Sequence, residues 1–167
     1  PADPTPEITQ VNNMNFSNWL PYTASGCGRL YDDYVMRSSY SSGMATNFGF
    51  SKHDVFYDDP KKIEWIKGKI TELLAIRKFF SGDMYMLTAP TMDCTAWCAT
   101  EWVLPDAGEG MIQIFKREAS PYTDSSFALH GIDESKTYVF TDLDGGNFEL
   151  TGKELKNSGL CVKIAGK

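Results

Sequence analysis

The sequence predicts a mainly β fold with an N-terminal helical part. Three observations carry that expectation: one long amphipathic stripe over residues 60–80, a change of hydrophobic period just after Gly82, and turn-forming residues every 8–12 positions from there on. A chain of 167 residues can hold one domain, or one domain and the tail of another. The expected division falls at residue 83, with helix and loop in 1–83 and an all-β unit in 84–167.

The helical part is built around the stripe. Asp59 can cap it, and Pro60 suits a first helical position because its missing N–H would be unpaired there anyway. Ile63, Ile66, Ile70, Leu73, Leu74 and Ile76 then recur at spacings near three and four, which places them on one face. Phe79 and Phe80 extend the stripe, and Gly82 is expected to stop it. Trp65 is expected at the stripe's edge. Upstream, residues 33–41 predict a shorter helix capped by Asp32 or Asp33. Residues 1–30 open with three prolines and hold an aromatic patch, Phe16, Trp19 and Tyr22; they are read as an ordered loop with one short strand. Gly43, Asn47 and Gly49 predict chain breaks in 42–51.

After Gly82 the expected strands are 84–88, 96–103, 111–117, 126–130, 137–141 and 160–164. A turn fills 105–110, and Asp144-Gly145 is a hairpin signal. Thr151 and Glu154 have capping-box spacing and open a short helix that Gly159 ends. This pattern predicts a sandwich or a barrel. Trp97 and Trp102 are an odd number of positions apart, so they face opposite ways and at most one lines a sandwich core.

Composition excludes several classes. Apolar residues at 42% and charged residues at 23% are inconsistent with wholesale disorder. The net charge is −6, and the densest basic run (Lys61, Lys62, Lys67, Lys69) is diluted by Glu64 and Glu72 into a solvated helix face. Nucleic acid and anionic membrane partners are therefore disfavoured. No apolar run reaches the roughly 20 residues a membrane helix needs. No signal peptide opens the chain; a start at Pro1 without Met is how a fragment or a processed chain begins, so this says little about compartment, with the cytoplasm slightly favoured.

Cys27, Cys94, Cys98 and Cys161 form no pair of C-x-x-C hooks, and His53 and His130 lie far apart, so no metal and no cofactor is expected. The cysteines are read as small buried hydrophobes, with a disulfide neither excluded nor implied. Met36, Met44, Met84, Met86, Met92 and Met111 are read as core filler.

Short motifs in sequence order carry a family resemblance. Trp19-Leu20-Pro21-Tyr22, Arg37-Ser38 and Gly43-Met44 resemble the end of the catalytic barrel in glycoside hydrolase family 36. The run from Asp106 to Arg117 resembles that family's C-terminal domain. So do Ser120-Pro121-Tyr122, the run from Leu129 to Asp133, Tyr138, the run from Thr141 to Gly146 and the run from Thr151 to Leu155. The resemblance implies an antiparallel β-sandwich of the Greek-key type, preceded by a long amphipathic helix from a truncated (β/α)8 barrel.

It also implies a parent that is a retaining α-galactosidase or a close relative, whose two catalytic carboxyls stand about 5–5.5 Å apart. The family's nucleophile lies in a Lys-Trp-Asp motif, which does not occur here, and its acid/base aspartate should precede Pro1. No catalytic residue is therefore expected in this chain, which would be structural and inactive alone. The implied partners are α-galactoside sugars, met through the parent enzyme, and the remainder of the barrel, with a homo-oligomeric parent left open. Family members usually add one more apolar strand after the position of Lys167, without which a sheet edge is left open.

Trp19 and Tyr22 are the candidate substrate-binding residues. An aromatic ring offers a flat apolar face to a sugar's C–H side, and the resemblance puts both on a loop at the barrel's C-terminal end, with packing as the competing reading. Gly26-Cys27-Gly28-Arg29 is read as a tight turn. Asp32-Asp33 and Asp58-Asp59 are adjacent carboxylates that point apart on a helix, which favours N-capping over catalysis. Asp106, Glu109, Asp142 and Asp144 are read as solvated turn residues. The rival readings are an independent carbohydrate-binding module and a structural interaction domain.

Overall fold

The computed structural model describes residues 5–20, 23–27, 32–41, 43–48 and 59–165, with backbone alone in 23–27 and 43–48. The fold is mixed α/β with a sheet-rich second part. In order, the elements are α1 (Pro6–Ser17), β1 (Thr23–Cys27), α2 (Asp33–Ser39), β2 (Gly43–Phe48), α3 (Pro60–Ile76), a 3-10 turn (Arg77–Ser81), β3 (Asp83–Met86), β4 (Cys98–Leu104), β5 (Glu109–Phe115), β6 (Asp124–Phe127), β7 (Thr137–Asp142), β8 (Gly146–Thr151), α4 (Gly152–Ser158) and β9 (Leu160–Lys163). β1 and β2 pair in parallel across α2, whereas every later pairing is antiparallel: β3–β4–β5, β6–β9 and β7–β8. No helix among the described residues is long and apolar enough to cross a membrane.

The first 30 residues depart from expectation. α1 is a helix of 12 residues, capped by the Thr5 side chain with Pro6 in the first turn. Its buried face is Thr9, Gln10, Asn13 and Met14, so no apolar periodicity announces it. The polar groups on that face are paired: Gln10 Nε2 donates to Ser38 Oγ at 2.9 Å, and Asn13 Nδ2 donates to Ser41 Oγ at 2.9 Å and to the Ser38 carbonyl at 3.1 Å. Gly26 and Cys27 extend along β1 in place of the expected turn; Gly28 and Arg29 lie outside the described residues. Gly43 and Asn47 belong to β2, where chain breaks were expected.

Asp32 caps α2 through Val35 N–H at 3.0 Å, and Asp59 caps α3 through Lys61 N–H at 2.9 Å. The buried line of α3 runs through Ile66, Lys69 and Leu73, while Ile70 and Leu74 (60% exposed) face outward. The stripe's Ile66 and Leu73 therefore lie on the packed face and its Ile70 and Leu74 off it, and Lys69 does not belong to a solvated face. Its ammonium is held by Asp33 at 3.0 Å and Glu72 at 3.2 Å, which offsets the cost of its burial. Gly82 ends the 3-10 turn in an extended conformation, not a left-handed one. A glycine is needed there because a Cβ would strike the Val103 carbonyl and Leu104.

β4 is the centre of the sheet-rich part. Cys98, Thr100 and Trp102 face the helices; Ala99 and Glu101 face the opposite layer; all five are buried. On the helical side Trp102 joins Met36, Tyr40, Leu73 and Phe80, and Cys98 joins Met14 and Phe115. Trp97 and Ala99 pack with Phe127 on the other side, and Leu129, Leu155 and Leu160 form a neighbouring cluster. Trp97, just before β4, and Trp102 on it are thus both buried, in core clusters on opposite sides of the strand. Two core clusters cross residue 83, where the secondary structure changes.

The distal elements follow their local signals. β7 and β8 form the hairpin over Asp144-Gly145, with Gly146 at φ +98° and the Asp144 N–H bonded to Asp142 Oδ1 at 2.9 Å. Thr151 and Glu154 form the capping box of α4, and Gly159 follows it at φ +70°. β6 occupies Asp124–Phe127, so His130 lies beyond the strand expected over 126–130.

An ion-pair network ties α2, α3 and the β7–β8 turn together. Arg37 Nε donates to Glu72 Oε1 at 2.7 Å and its Nη1 to Asp144 at 2.7–2.8 Å, and the Tyr40 hydroxyl also donates to Glu72. Burial alone would push the Glu72 carboxyl up, but the bonds from Arg37 and Tyr40 hold it below its ordinary value of 4.5. A lowered native pKa stabilises the fold above the ordinary carboxyl range, and that contribution is lost as pH falls below 4.5 through the native value. Glu72→Gln should lower stability at pH 7 and flatten its acid dependence, measured by urea unfolding from pH 7 to pH 3. In the same assay Gly82→Ala should cost about 1–3 kcal/mol. Gly68→Ala, on an exposed stretch of α3 with open space around it, should stabilise by up to about 1 kcal/mol.

Candidate functional site

Among the described residues a recess lies where the helical part meets the sheet. Trp19 and Leu20 N–H both bond back to the Phe16 carbonyl, at 2.9 and 2.8 Å, and this turns the chain at the end of α1. The 3-10 turn and Gly82 bring the opposite wall into β3. Between them is a cleft of about 320 Å³, near the lower end of ligand-sized clefts, which run roughly 300–1,000 Å³. The end of α1 contributes Ser17, Asn18, Trp19 and Leu20, and the other wall contributes Ser81, Gly82, Asp83 and Met84. Phe80 and Trp102 are its most buried lining residues, their rings 5.1 Å apart and edge-on at 89°.

The polar side chains on the lining residues divide: Ser81 Oγ donates to the Lys78 carbonyl at 2.8 Å, whereas two others lack partners. Trp102 Nε1 and Ser17 Oγ are buried without a hydrogen-bond partner. Leaving a buried donor unpaired costs roughly 1–3 kcal/mol. Two other indole N–H groups are paired: that of buried Trp97 with Ser120 Oγ at 3.1 Å, and that of half-buried Trp65 with Asp33 Oδ1 at 3.0 Å. Asn18 Nδ2 reaches only the Met86 sulfur, at 3.8 Å. Asp83 is the one carboxylate among the lining residues.

A second cluster lies on the other face of the same sheet. Glu101 is buried, and its Oε2 accepts from His130 N–H at 2.8 Å and lies 2.9 Å from His130 Nδ1. The His130 ring stacks on Tyr85, centroids 4.1 Å apart and 7° from parallel. A carboxylate on one ring nitrogen fixes the imidazole's orientation. Here that anchors the loop after β6 to β3 and β4.

A third buried group, Arg117, is 1% exposed; it donates to the Thr91 and Asp93 carbonyls at 2.6 and 2.7 Å and to Gln10 Oε1 at 3.3 Å. It ties α1 to the loop before β4. Burial pushes the Cys98 thiol up to about 11, so this cysteine is held as an unreactive thiol.

The sequence candidates fall as follows. Trp19 stands at the rim of the cleft, 85% exposed. Tyr22, Asp58 and His53 lie outside the described residues, as does the Cys27 side chain. Asp32 and Asp59 are caps, whereas Asp33 is an ion-pair partner of Lys69. Glu109 pairs with Lys78, and Asp144 with Arg37, so neither is a merely solvated turn residue. Cys94 and Cys161 are exposed, contrary to their reading as buried hydrophobes, and Met92 is exposed rather than core.

Ser17, Asp83 and the Trp102 N–H were not singled out. They come from three separate elements, and only the packing of α1 against β3 and β4 brings them together. Among the described residues no group of three or more His, Cys, Asp or Glu side chains could hold a metal ion. Protein-family models, curated proteins and solved structures yield no match to this chain.

The two tryptophans of the cleft should separate sharply in stability. Trp19→Ala should leave the melting temperature within about a degree or two, because an exposed side chain contributes little. Trp102→Ala should cost about 3–5 kcal/mol. Thermal and urea unfolding of both variants checks this.

Proposed function

We propose that this chain is the C-terminal portion of a retaining α-galactosidase-like glycoside hydrolase: the last β/α units of the catalytic barrel and a β unit that braces them. The observation that carries the reading is the run β1–α2–β2–α3, with β1 and β2 parallel, followed after Gly82 by antiparallel pairing alone. Parallel strands joined through a helix are the building unit of a (β/α)8 barrel. The family motifs occur in the same order along the chain.

In this reading the later strands belong to a Greek-key sandwich. Its support is the return of β9 to pair with β6, which encloses the β7–β8 hairpin and α4 within one long connection. The two catalytic aspartates belong to barrel segments that precede Pro1. This portion supplies no acid, base or nucleophile; α3 forms barrel wall, and Phe80 and Trp102 lock it to the bracing sheet.

A second reading, an independent carbohydrate-binding module, is favoured by one observation: a broadly exposed indole, Trp19, at the mouth of a cleft with unpaired polar groups. Hydrolysis of p-nitrophenyl α-galactoside distinguishes the two. The full-length product of the gene should turn it over, and this chain alone should not. Turnover by the chain alone, or an inert full-length protein, would contradict the hydrolase reading.

A further inference from the structure

We propose that Asp144 is a site of spontaneous isoaspartate formation, and that its ion pair with Arg37 sets the rate at which the conversion runs. The inference goes beyond the family reading and does not rest on it. It stands on three observations that meet at the β7–β8 turn: the dipeptide, its exposure, and the guanidinium that holds the carboxylate.

The chemistry needs an aspartate whose successor has no side chain. The backbone nitrogen of that successor attacks the carboxyl carbon Cγ. A C–N bond forms, the amide proton goes to solvent, and one carboxyl oxygen leaves as water. The product is a five-membered succinimide. Water then adds to either of its carbonyls: opening at Cγ restores aspartate, and opening at the main-chain carbonyl gives isoaspartate. One water leaves and one returns, so the net change is an isomerisation that needs no oxidant or cofactor. A side chain on the attacking residue crowds the ring, and glycine removes that crowding. Asp144-Gly145 is the only Asp-Gly in the 167 residues, and no Asn-Gly occurs. Asp142 is followed by Leu143, whose side chain hinders the same attack. Asp124-Ser125 lies in β6 and Asn157-Ser158 in α4, both held in regular secondary structure.

The fold places this dipeptide in the open and then restrains it. The turn is closed by the pair Asp142–Gly146, and the Asp144 side chain is 72% exposed, so water reaches it. Against that, Arg37 Nη1 donates to both carboxylate oxygens, at 2.8 and 2.7 Å. Ring closure must carry one of those oxygens away, so the pair has to part first. Arg37 is itself fixed by Glu72, through Nε at 2.7 Å and Nη2 at 3.2 Å, and it stays in place when the carboxylate leaves. In isoaspartate the main chain runs through Cβ and is one methylene longer, while the free carboxylate sits directly on Cα. The tip then no longer presents its carboxylate to Arg37 as it does now, and the conversion unties the hairpin from α2.

The test incubates the whole chain for several weeks at neutral pH and body temperature and then digests it with trypsin. The peptide Thr137–Lys153 carries Asp142 and Asp144, and it is compared with synthetic peptides that hold aspartate or isoaspartate at position 144. Electron-transfer fragmentation locates the isoaspartate. The expected result is isoaspartate accumulating at Asp144 ahead of every other position. It should be absent from Asp144→Glu, whose longer side chain keeps the charge and cannot close a five-membered ring. Arg37→Gln should raise the rate about two- to fivefold, which is what an exposed ion pair of ordinary strength holds back. Far-UV circular dichroism first establishes that this variant is folded, since Arg37 also bonds Glu72. Salt gives a second readout in the unsubstituted chain: about 1 M sodium chloride screens an exposed pair and should speed the reaction more in the chain than in the synthetic peptide. The proposal is overturned if isoaspartate forms first at another position or not at all at Asp144. It is overturned equally if folded Arg37→Gln converts at the unsubstituted rate, or if, that variant being unfolded, salt speeds chain and peptide alike.

Discussion

Everything in this fold is arranged around a strand that has no solvent side. From Trp97 to Trp102 six successive residues are buried, so both faces of β4 must be covered. One layer cannot do this. The helices cover the face that carries Cys98, Thr100 and Trp102, and the β6–β9 pair, the β7–β8 hairpin and α4 supply the clusters on the face that carries Ala99. Fully burying a tryptophan removes about 150–250 Å² from water, worth roughly 4–6 kcal/mol at 25 cal/mol per Å². Trp97 and Trp102, one on each face, are therefore a large share of what draws the two layers onto the strand.

Burial on both sides makes polar groups expensive, and the structure answers with specific partners. Glu101 is taken up by His130, and Arg117 by two backbone carbonyls and Gln10. Gln10 in turn bonds Ser38, so one chain of bonds runs from the end of β5 through α1 to α2. Such networks fix which way α1 lies, because a rotation would leave several buried donors unpaired at once. The unpaired Trp102 N–H is conspicuous against that background. Trp102 lines the recess where α1 ends and the chain turns away through Trp19, while its N–H itself is buried, as is the unpaired Gln113 Oε1.

What the sequence made legible was local. The caps Asp59 and Thr151, the hairpin at Asp144-Gly145, the stop at Gly159 and the change of period near Gly82 each depend on residues close together in the chain, and each is found in the structure. α1 was hidden because its buried face is Thr, Gln and Asn, whose partners lie more than 20 residues away. Lys69 was misplaced for the same reason: a buried ammonium is tolerable only because Asp33 and Glu72 come to it. Trp19 was singled out through the resemblance of Trp19-Leu20-Pro21-Tyr22 to a family segment, as an aromatic on a loop. Its neighbours across the cleft could not, since Ser17, Asp83 and Trp102 meet only once the layers pack.

The account's central claim is that the helical layer and the sheet-rich layer form one cooperative unit through β4. The most direct measurement is urea unfolding followed in parallel by far-UV circular dichroism, which weights the helices, and by near-UV circular dichroism, which weights buried Trp97 and Trp102. The account predicts coincident curves with one midpoint and one slope. Two separated transitions, with helical signal lost while the aromatic signal of the sheet persists, would show that β4 does not need its helical cover and would contradict the account.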